Sequence, residues 1–361
     1  MINVTKPFLP PQEEYKQYID EIWQRAWLTN NGPLVNELEL KLKKYLNLKH
    51  LLFLNNGTMA LQLAIKALNL TGEIITTPFS YVATTSSIVW QHCKPVFVDI
   101  DSKTLNINPQ LIEQAITPNT SAILATHVFG NPCDIDAIEA IAKKHNLKTI
   151  YDAAHCFGTT YKGESVLNYG DISCISFHAT KLFHTIEGGA VATQKPELLE
   201  KMAYLRNFGH NGPYEFNGVG INGKNSEFHA AMGLCNLNYI EAILDKRKKD
   251  SLRYDKWLAD MIFQRPEINP KCNYNYAYYS VIFSSESECV GVLSELNKRN
   301  IFSRRYFYPS LSTLNYVPQN KCKMSEDIAS RILCLPLYYD LSNTEIDMIC
   351  RYIKRYFKSR K

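Results

Sequence analysis

Between about residues 50 and 195, short apolar, β-branched runs alternate with longer stretches of helical period. "HLLFLNN" predicts a strand and "TMALQLAIKAL" a helix; "EIITTPF" is followed by "YVATTSSIVWQHC", and "PVFVDID" by a helix near 109–117. "SAILATHVFG" leads into "DIDAIEAIAKKHN", and "KTIYDAA", "DISCISFH" and "GAVATQ" complete the strands. Strands that alternate with helices of this length indicate βαβ units and a largely parallel sheet covered on both faces. In such open sheets ligands bind in the crevice beyond the carboxyl ends of the strands, so the residues just after each strand carry the candidate chemistry.

Around 226–250 "SEFHAAMGLCNLNYIEAILDKRKKD" predicts one long helix that becomes charged towards its end, and the composition then turns rich in Tyr, Asn and Lys. The expected division is a large domain over residues 1–245, N-terminal arm included, and a smaller domain over 246–361. A strand at "YYSVIF", a helix at "ECVGVLSELNKRN" and a last helix at "TEIDMICRYIKRYF" make the second part α+β.

Composition narrows the functional classes. The chain has 361 residues, 45% of them hydrophobic, enough for a large core. Its net charge of +5 is mild: it suits an anionic small molecule and gives no argument for nucleic acid. The ten cysteines are scattered without metal-ligand spacing, so neither zinc nor a disulfide framework is indicated and a reducing cytoplasm is expected. The start of the chain lacks the pattern of a secretory signal, and no run approaches a membrane span; a soluble protein that is not exported is expected.

Five strand ends hold the candidate residues. "NNGTMAL" brings Asn56, Gly57 and Thr58 to the entry of a helix, where unpaired N–H groups and the helix dipole make an anion site. "TTPFSYVATTSSI" puts Tyr81 near a strand end, with a ring able to lie against a planar ligand. Asp152 follows "KTIY" and must be paired or solvated, and His155 stands three residues on. In "SFHATKLFHTIEGG" Ser176 and His178 close a strand, and Lys181 follows in a polar loop before two glycines. Each residue alone has an ordinary structural explanation: a capped helix, a core tyrosine, a satisfied histidine, a solvated lysine. Together they supply a phosphate cradle, a ring partner, an aspartate for a pyridinium nitrogen and a lysine for an aldehyde, the needs of pyridoxal 5'-phosphate. "GVGINGKN" at 218–225 matches the spacing of a P-loop, but Asn225 stands where Ser or Thr would hold magnesium and no strand is predicted before it. No G-x-G-x-x-G opens a helix after a strand, which disfavours a nicotinamide-binding fold.

The blocks "WLTNNGPLVNELELKL", "NNGTMALQLAIKAL", "TTPFSYVATTSSI", "HVFGNPCDIDAIEAIAKKH", "YDAAHCFGTTYKG", "GDISCISFHATKLFHTIEGGAVAT", "GINGKNSEFHAAMGL" and "RRYFYP" resemble the DegT-type sugar aminotransferases, a branch of the fold-type-I pyridoxal phosphate enzymes. The likeness covers nearly the whole chain. It implies an α/β fold of the aspartate-aminotransferase kind, with a mostly parallel mixed sheet flanked by helices and a smaller C-terminal α+β domain. It further implies that Lys181 bonds the cofactor's aldehyde carbon, Asp152 pairs with the ring nitrogen, Tyr81 stacks on the ring, and Gly57, Thr58 and Ser176 hold the phosphate. His155 would stand near the ring hydroxyl, where the family often has Gln. Asn222 would reach the phosphate of a neighbouring subunit's cofactor, since family members build their sites across a homodimer interface. Departures are Tyr151 before Asp152 in place of Glu, and Asn225 in place of a common methionine.

The block "NGKNSEF" looks more like enzymes that aminate the 4-position of a keto sugar than like 3-position relatives. The resemblance therefore implies transamination of a nucleotide-linked 4-keto-6-deoxyhexose, dTDP-4-keto-6-deoxyglucose first, with L-glutamate as donor, in surface-glycan biosynthesis such as that of O-antigen and lipopolysaccharide. The alternatives are a 3-keto sugar aminotransferase, a sugar dehydratase of the same fold, in which histidine replaces the lysine, and a non-catalytic regulatory relative.

Overall fold

The computed structural model describes residues 1–318 and 321–359. Seven strands form the main sheet: β1 (His50–Leu54), β2 (Glu73–Thr76), β3 (Lys94–Phe97), β4 (Thr120–Thr126), β5 (Lys148–Asp152), β6 (Ile172–Ser176) and β7 (Gly189–Thr193), in the order β1-β7-β6-β5-β4-β2-β3. All neighbours run parallel except that β7 is antiparallel to both β1 and β6. The single reversed strand has a consequence for function. It starts at the edge where the parallel strands end, so Gly189 lies opposite Leu54 on one side and Ser176 on the other.

The strands are buried almost throughout: Phe53, Leu54, Ile74, Ile75, Ile123, Leu124 and Ile150 are fully enclosed. That explains why they lack the alternation of a half-exposed sheet. The helix α1 (Gly57–Ala67) follows β1 directly. Asn56 starts it, its Oδ1 accepting the Met59 N–H at 2.7 Å, and Ala60, Leu61, Leu63, Ala64, Ile65 and Ala67 bury most of its circumference against β6 and β7. After β2 comes α2 (Val82–Trp90), and between β4 and β5 lies α3 (Ile135–Lys144), whose Ile135, Ile138 and Ala142 keep the i, i+3, i+7 stripe visible in the sequence.

One element differs from the sequence expectation. The long helical pattern near 226–250 is two helices, α4 (Glu227–Leu237) and α5 (Ile240–Leu258), separated at Asn238 and Tyr239. Both pieces have apolar faces, so periodicity alone did not reveal the break. Residue 245, where the division is expected, lies within α5. Ile240 and Ile243 of that helix join the main core, while Tyr254 and Leu258 join a second core.

That second core collects the antiparallel pair β8 (Tyr279–Ile282) and β9 (Ile332–Leu335), α6 (Glu286–Asn297) and α7 (Asn343–Lys358). Ser342 and Glu345 cap α7 reciprocally, and Ile346, Ile349, Cys350 and Ile353 form its buried stripe. The tip of the N-terminal arm also packs here. Ile2 and Asn3 pair in parallel with Ile301 and Phe302, and Ile2 is buried in the second core. Among the described residues no helix is long and apolar enough to cross a membrane.

Candidate active site

The carboxyl ends of β1, β4, β5 and β6 and the start of β7 converge on one cavity of about 280 Å³. Gly57, Thr58, Tyr81, Asp152, His155, Ser176 and Lys181 all line it. The structure thus brings together in one chain every residue singled out in the sequence except Asn222. That residue is exposed, its backbone bridging Asn207, and does not line the cavity.

Lys181 follows β6 by five residues, its backbone N–H held by the His178 carbonyl at 2.8 Å. Burial pushes its ammonium down to about 8, although the charge of Asp152 opposes this. Asp152 ends β5 and is buried. Its Oδ2 accepts the Thr84 hydroxyl at 2.6 Å and its Oδ1 the Ala154 N–H at 3.1 Å. Burial still raises its pKa above the ordinary carboxylate range, with those two bonds and Lys181 pulling the other way. A carboxylate in this state is short of a cation.

The anion cradle is built by contact. At Gly57 a Cβ would lie 2.9 Å from the Ser176 Cβ, and at Gly189 one would lie 2.5 Å from the Asn56 carbonyl carbon. Glycine at both places lets the start of α1, with its unpaired N–H groups, sit against Ser176 at the end of β6. His155 stands in an aromatic enclosure: its ring is parallel to Phe307 at 6.0 Å and to Phe129 at 6.4 Å, with Tyr278 edge-on at 4.8 Å. Burial holds it well below the ordinary histidine range, hence neutral, and its Nδ1 has no hydrogen-bond partner among the described residues. Tyr81 precedes α2 and remains 57% exposed, which leaves its ring surface available at the cavity wall.

Some of the site was not singled out in the sequence. A chain of hydroxyls stands behind Asp152: Thr84 Oγ1 lies 2.7 Å from Ser80 Oγ, which lies 3.0 Å from Thr126 Oγ1. All three are buried. His127, which follows β4, accepts the Cys133 N–H on Nδ1 at 3.0 Å, so its proton sits on Nε2, a buried atom without a partner among the described residues. Its ring stacks on Tyr151 at 4.5 Å, and burial holds it neutral, at about 3. Arg304 and Tyr306 reach the cavity from the smaller part of the chain, and Arg304 has no carboxylate partner among the described residues. His178, Thr180 and Glu187 complete the wall near Lys181.

These residues fit pyridoxal 5'-phosphate. An unpaired buried carboxylate, a glycine-lined cradle of N–H and hydroxyl donors, a lysine with a lowered proton affinity and an exposed aromatic face meet its ring nitrogen, phosphate, aldehyde and ring plane in turn. Clusters of His, Cys, Asp and Glu suited to a metal ion are absent among the described residues.

The sequence profile described as the DegT/DnrJ/EryC1/StrS aminotransferase family matches residues 11–354. A dTDP-4-amino-4,6-dideoxy-D-glucose transaminase of Shigella dysenteriae is 44% identical over 361 residues, covering 98% of each chain. Among solved structures, DesI in the presence of its TDP-sugar product superposes with a TM-score of 0.93 at 30% identity, over 99% of this chain and 95% of that one. The PLP form of the sugar aminotransferase Spr1654 from Streptococcus pneumoniae gives 0.90 at 26% identity over 99% of both chains.

Proposed function

This chain belongs to the DegT/DnrJ/EryC1/StrS aminotransferase family, and from that premise we propose that it moves the amino group of L-glutamate to C4 of dTDP-4-keto-6-deoxyglucose, giving dTDP-4-amino-4,6-dideoxyglucose. It is a pyridoxal-phosphate-dependent nucleotide-sugar transaminase. The observation that carries the reading is Lys181 and Asp152 lining one cavity beside a glycine-built anion cradle.

In this reading Gly57, Thr58 and Ser176 would hold the phosphate, Tyr81 would cover the ring, His155 would stand by its ring oxygen, and Lys181 would hold its aldehyde carbon. When bound, the cofactor supplies that aldehyde and a protonated ring that draws electrons from the substrate carbon. Asp152 stays ionised opposite the ring nitrogen and is held by Thr84. Lys181 Nζ would take the α-proton of the amino donor; water would supply the oxygen of the departing keto acid while the nitrogen is kept at the site, and Lys181 would later deliver a proton to C4 of the sugar, whose keto oxygen leaves as water. Both transfers need a neutral amine at some stage, which burial promotes. Holding donor and acceptor in turn at one cavity avoids a bimolecular encounter, a saving that reaches roughly 7–11 kcal/mol in well-oriented systems. Arg304, without an ion pair among the described residues, suits the anionic groups both substrates carry.

Residues 1–245 would form the cofactor-binding domain and 246–361 the smaller one. Asn222, exposed and outside this chain's cavity, would act in the neighbouring subunit of a homodimer. A cytoplasmic place in O-antigen or lipopolysaccharide biosynthesis follows the same reading.

The test is incubation with glutamate and a panel of dTDP-linked 3-keto and 4-keto sugars, with NMR of the product and 2-oxoglutarate measured alongside. One 2-oxoglutarate per 4-amino sugar is expected; amination at C3, or loss of the keto sugar without 2-oxoglutarate, would contradict it.

Two further results are expected. Covalent capture of pyridoxal phosphate by the apoprotein requires the deprotonated amine. With Lys181 at about 8, the capture rate should rise roughly fivefold between about pH 7 and pH 8 and level off above about pH 9. A flat profile, followed through the cofactor's absorbance, would contradict that setting of Lys181. Thr84→Val should slow transamination about tenfold with the cofactor still bound, because it removes a hydrogen bond to the ionised form of Asp152. Single-turnover rates with glutamate would check it, and an unchanged rate would deny Thr84 its positioning role.

A further inference from the structure

We propose that Glu187 and His178 form the part of the cavity wall that recognises ring hydroxyls of the keto sugar. This rests on the nucleotide-sugar reading above and assigns its specificity to two residues beside Lys181.

The backbone of Glu187 is fixed. Its carbonyl accepts the Thr185 hydroxyl at 2.8 Å and the Asn225 amide at 2.9 Å. The next two residues, Gly188 and Gly189, are packed so tightly that a Cβ on either would collide with Thr185 or with the Asn56 backbone. From this fixed base the side chain lines the cavity with 54% of its surface exposed, and its carboxylate faces the His178 ring.

That contact is underused. His178 Nδ1 accepts the Thr180 N–H at 3.3 Å and lies 2.8 Å from the Thr180 hydroxyl. The ring proton therefore resides on Nε2, which faces Glu187 Oε1 at 3.5 Å. A good N–H···O bond is shorter, about 2.7–3.2 Å. A hydroxyl placed against the pair can accept from the imidazole and donate to the carboxylate, satisfying both.

Charge favours the sugar over other occupants. The carboxylates of glutamate and a nucleotide's diphosphate are repelled by Glu187. The ammonium of glutamate would be attracted, but a carboxylate that held it protonated would oppose the attack it must make. Sugar hydroxyls are the remaining donors, and a site built to bond a hydroxyl discriminates strongly against analogues that lack it.

The experiment compares the loaded wild-type enzyme with Glu187→Ala and the isosteric Glu187→Gln. Three quantities are read: the absorbance change of the bound cofactor with glutamate alone, KM for dTDP-4-keto-6-deoxyglucose, and calorimetric Kd values for dTDP-4-amino-4,6-dideoxyglucose and for dTDP. Loss of a charge-assisted bond should raise the sugar KM and the amino-sugar Kd about tenfold or more in Glu187→Ala, less in Glu187→Gln, with dTDP affinity held within about twofold. The glutamate half-reaction should change far less than the sugar terms. Unaltered sugar parameters, or an equal loss in the glutamate step, would overturn the assignment. His178→Gln, which keeps a donor but moves it, should fall between wild type and Glu187→Ala in sugar affinity; a wild-type value would equally count against the pair. Failure of the wild-type enzyme to aminate any nucleotide keto sugar would instead remove the functional reading on which the assignment rests.

Discussion

Lys181→Ala is expected to abolish turnover, by about four orders of magnitude or more, while the protein still folds. Its amine has two roles in the proposed reaction, as the group that binds the cofactor's aldehyde and as the carrier of the proton between carbons. General base catalysis alone accounts for about 10²–10⁴-fold, and losing the covalent anchor adds to it. The fold should survive because the side chain faces an existing cavity and leaves no new void in a packed core. Burial already disfavours its charged form, so its removal takes away an unfavourable term. The variant should keep its circular dichroism spectrum, lose the absorbance of the lysine-bound cofactor, and regain some proton transfer with added small amines. Wild-type turnover would refute the role of Lys181.

Asp152→Asn should reduce transamination by roughly 10²–10⁴-fold, the equivalent of breaking a buried charge pair at about 3–5 kcal/mol. The amide has nearly the same shape and can still accept one of the two bonds from Thr84 and Ala154, so packing changes little. What it loses is the charge that keeps the ring nitrogen protonated. The stability effect should change sign with occupancy. In the apoprotein Asp152 is a buried carboxylate that burial makes reluctant to ionise, so the neutral variant should melt at the same or a higher temperature. In the loaded enzyme the same change removes a charge pair and should lower Tm. A purely structural aspartate would lower both, and melting curves with and without cofactor separate the two cases.

Much of the site was legible because it obeys a topological rule. In a parallel sheet the strand ends gather at one edge, so Gly57, Tyr81, Asp152, Ser176 and Lys181, far apart in sequence, could be grouped by their place after strands alone. The match to the family over residues 11–354 adds to that grouping. The hydroxyls of Ser80, Thr84 and Thr126 were not legible. They occur in runs that also read as ordinary strand end and helix, and only the spacing of α2 against β4 and β5 aligns them behind Asp152. A hint was present: hydroxyls on the buried face of a helix need acceptors. The enclosure of His155 joins Phe129, Tyr278 and Phe307, which periodicity cannot bring together. The split between α4 and α5 escaped because apolar spacing continues through Asn238 and Tyr239, and the pairing of Ile2 with Ile301 escaped because two residues carry too little pattern.

The central claim is that one amine, on Lys181, binds the cofactor. Borohydride reduction of the loaded enzyme, followed by proteolysis and mass spectrometry, tests it most directly. The expected result is a stable pyridoxyl group on the peptide that contains Lys181; a label on another lysine, or no label on an enzyme that still turns over, would contradict the account.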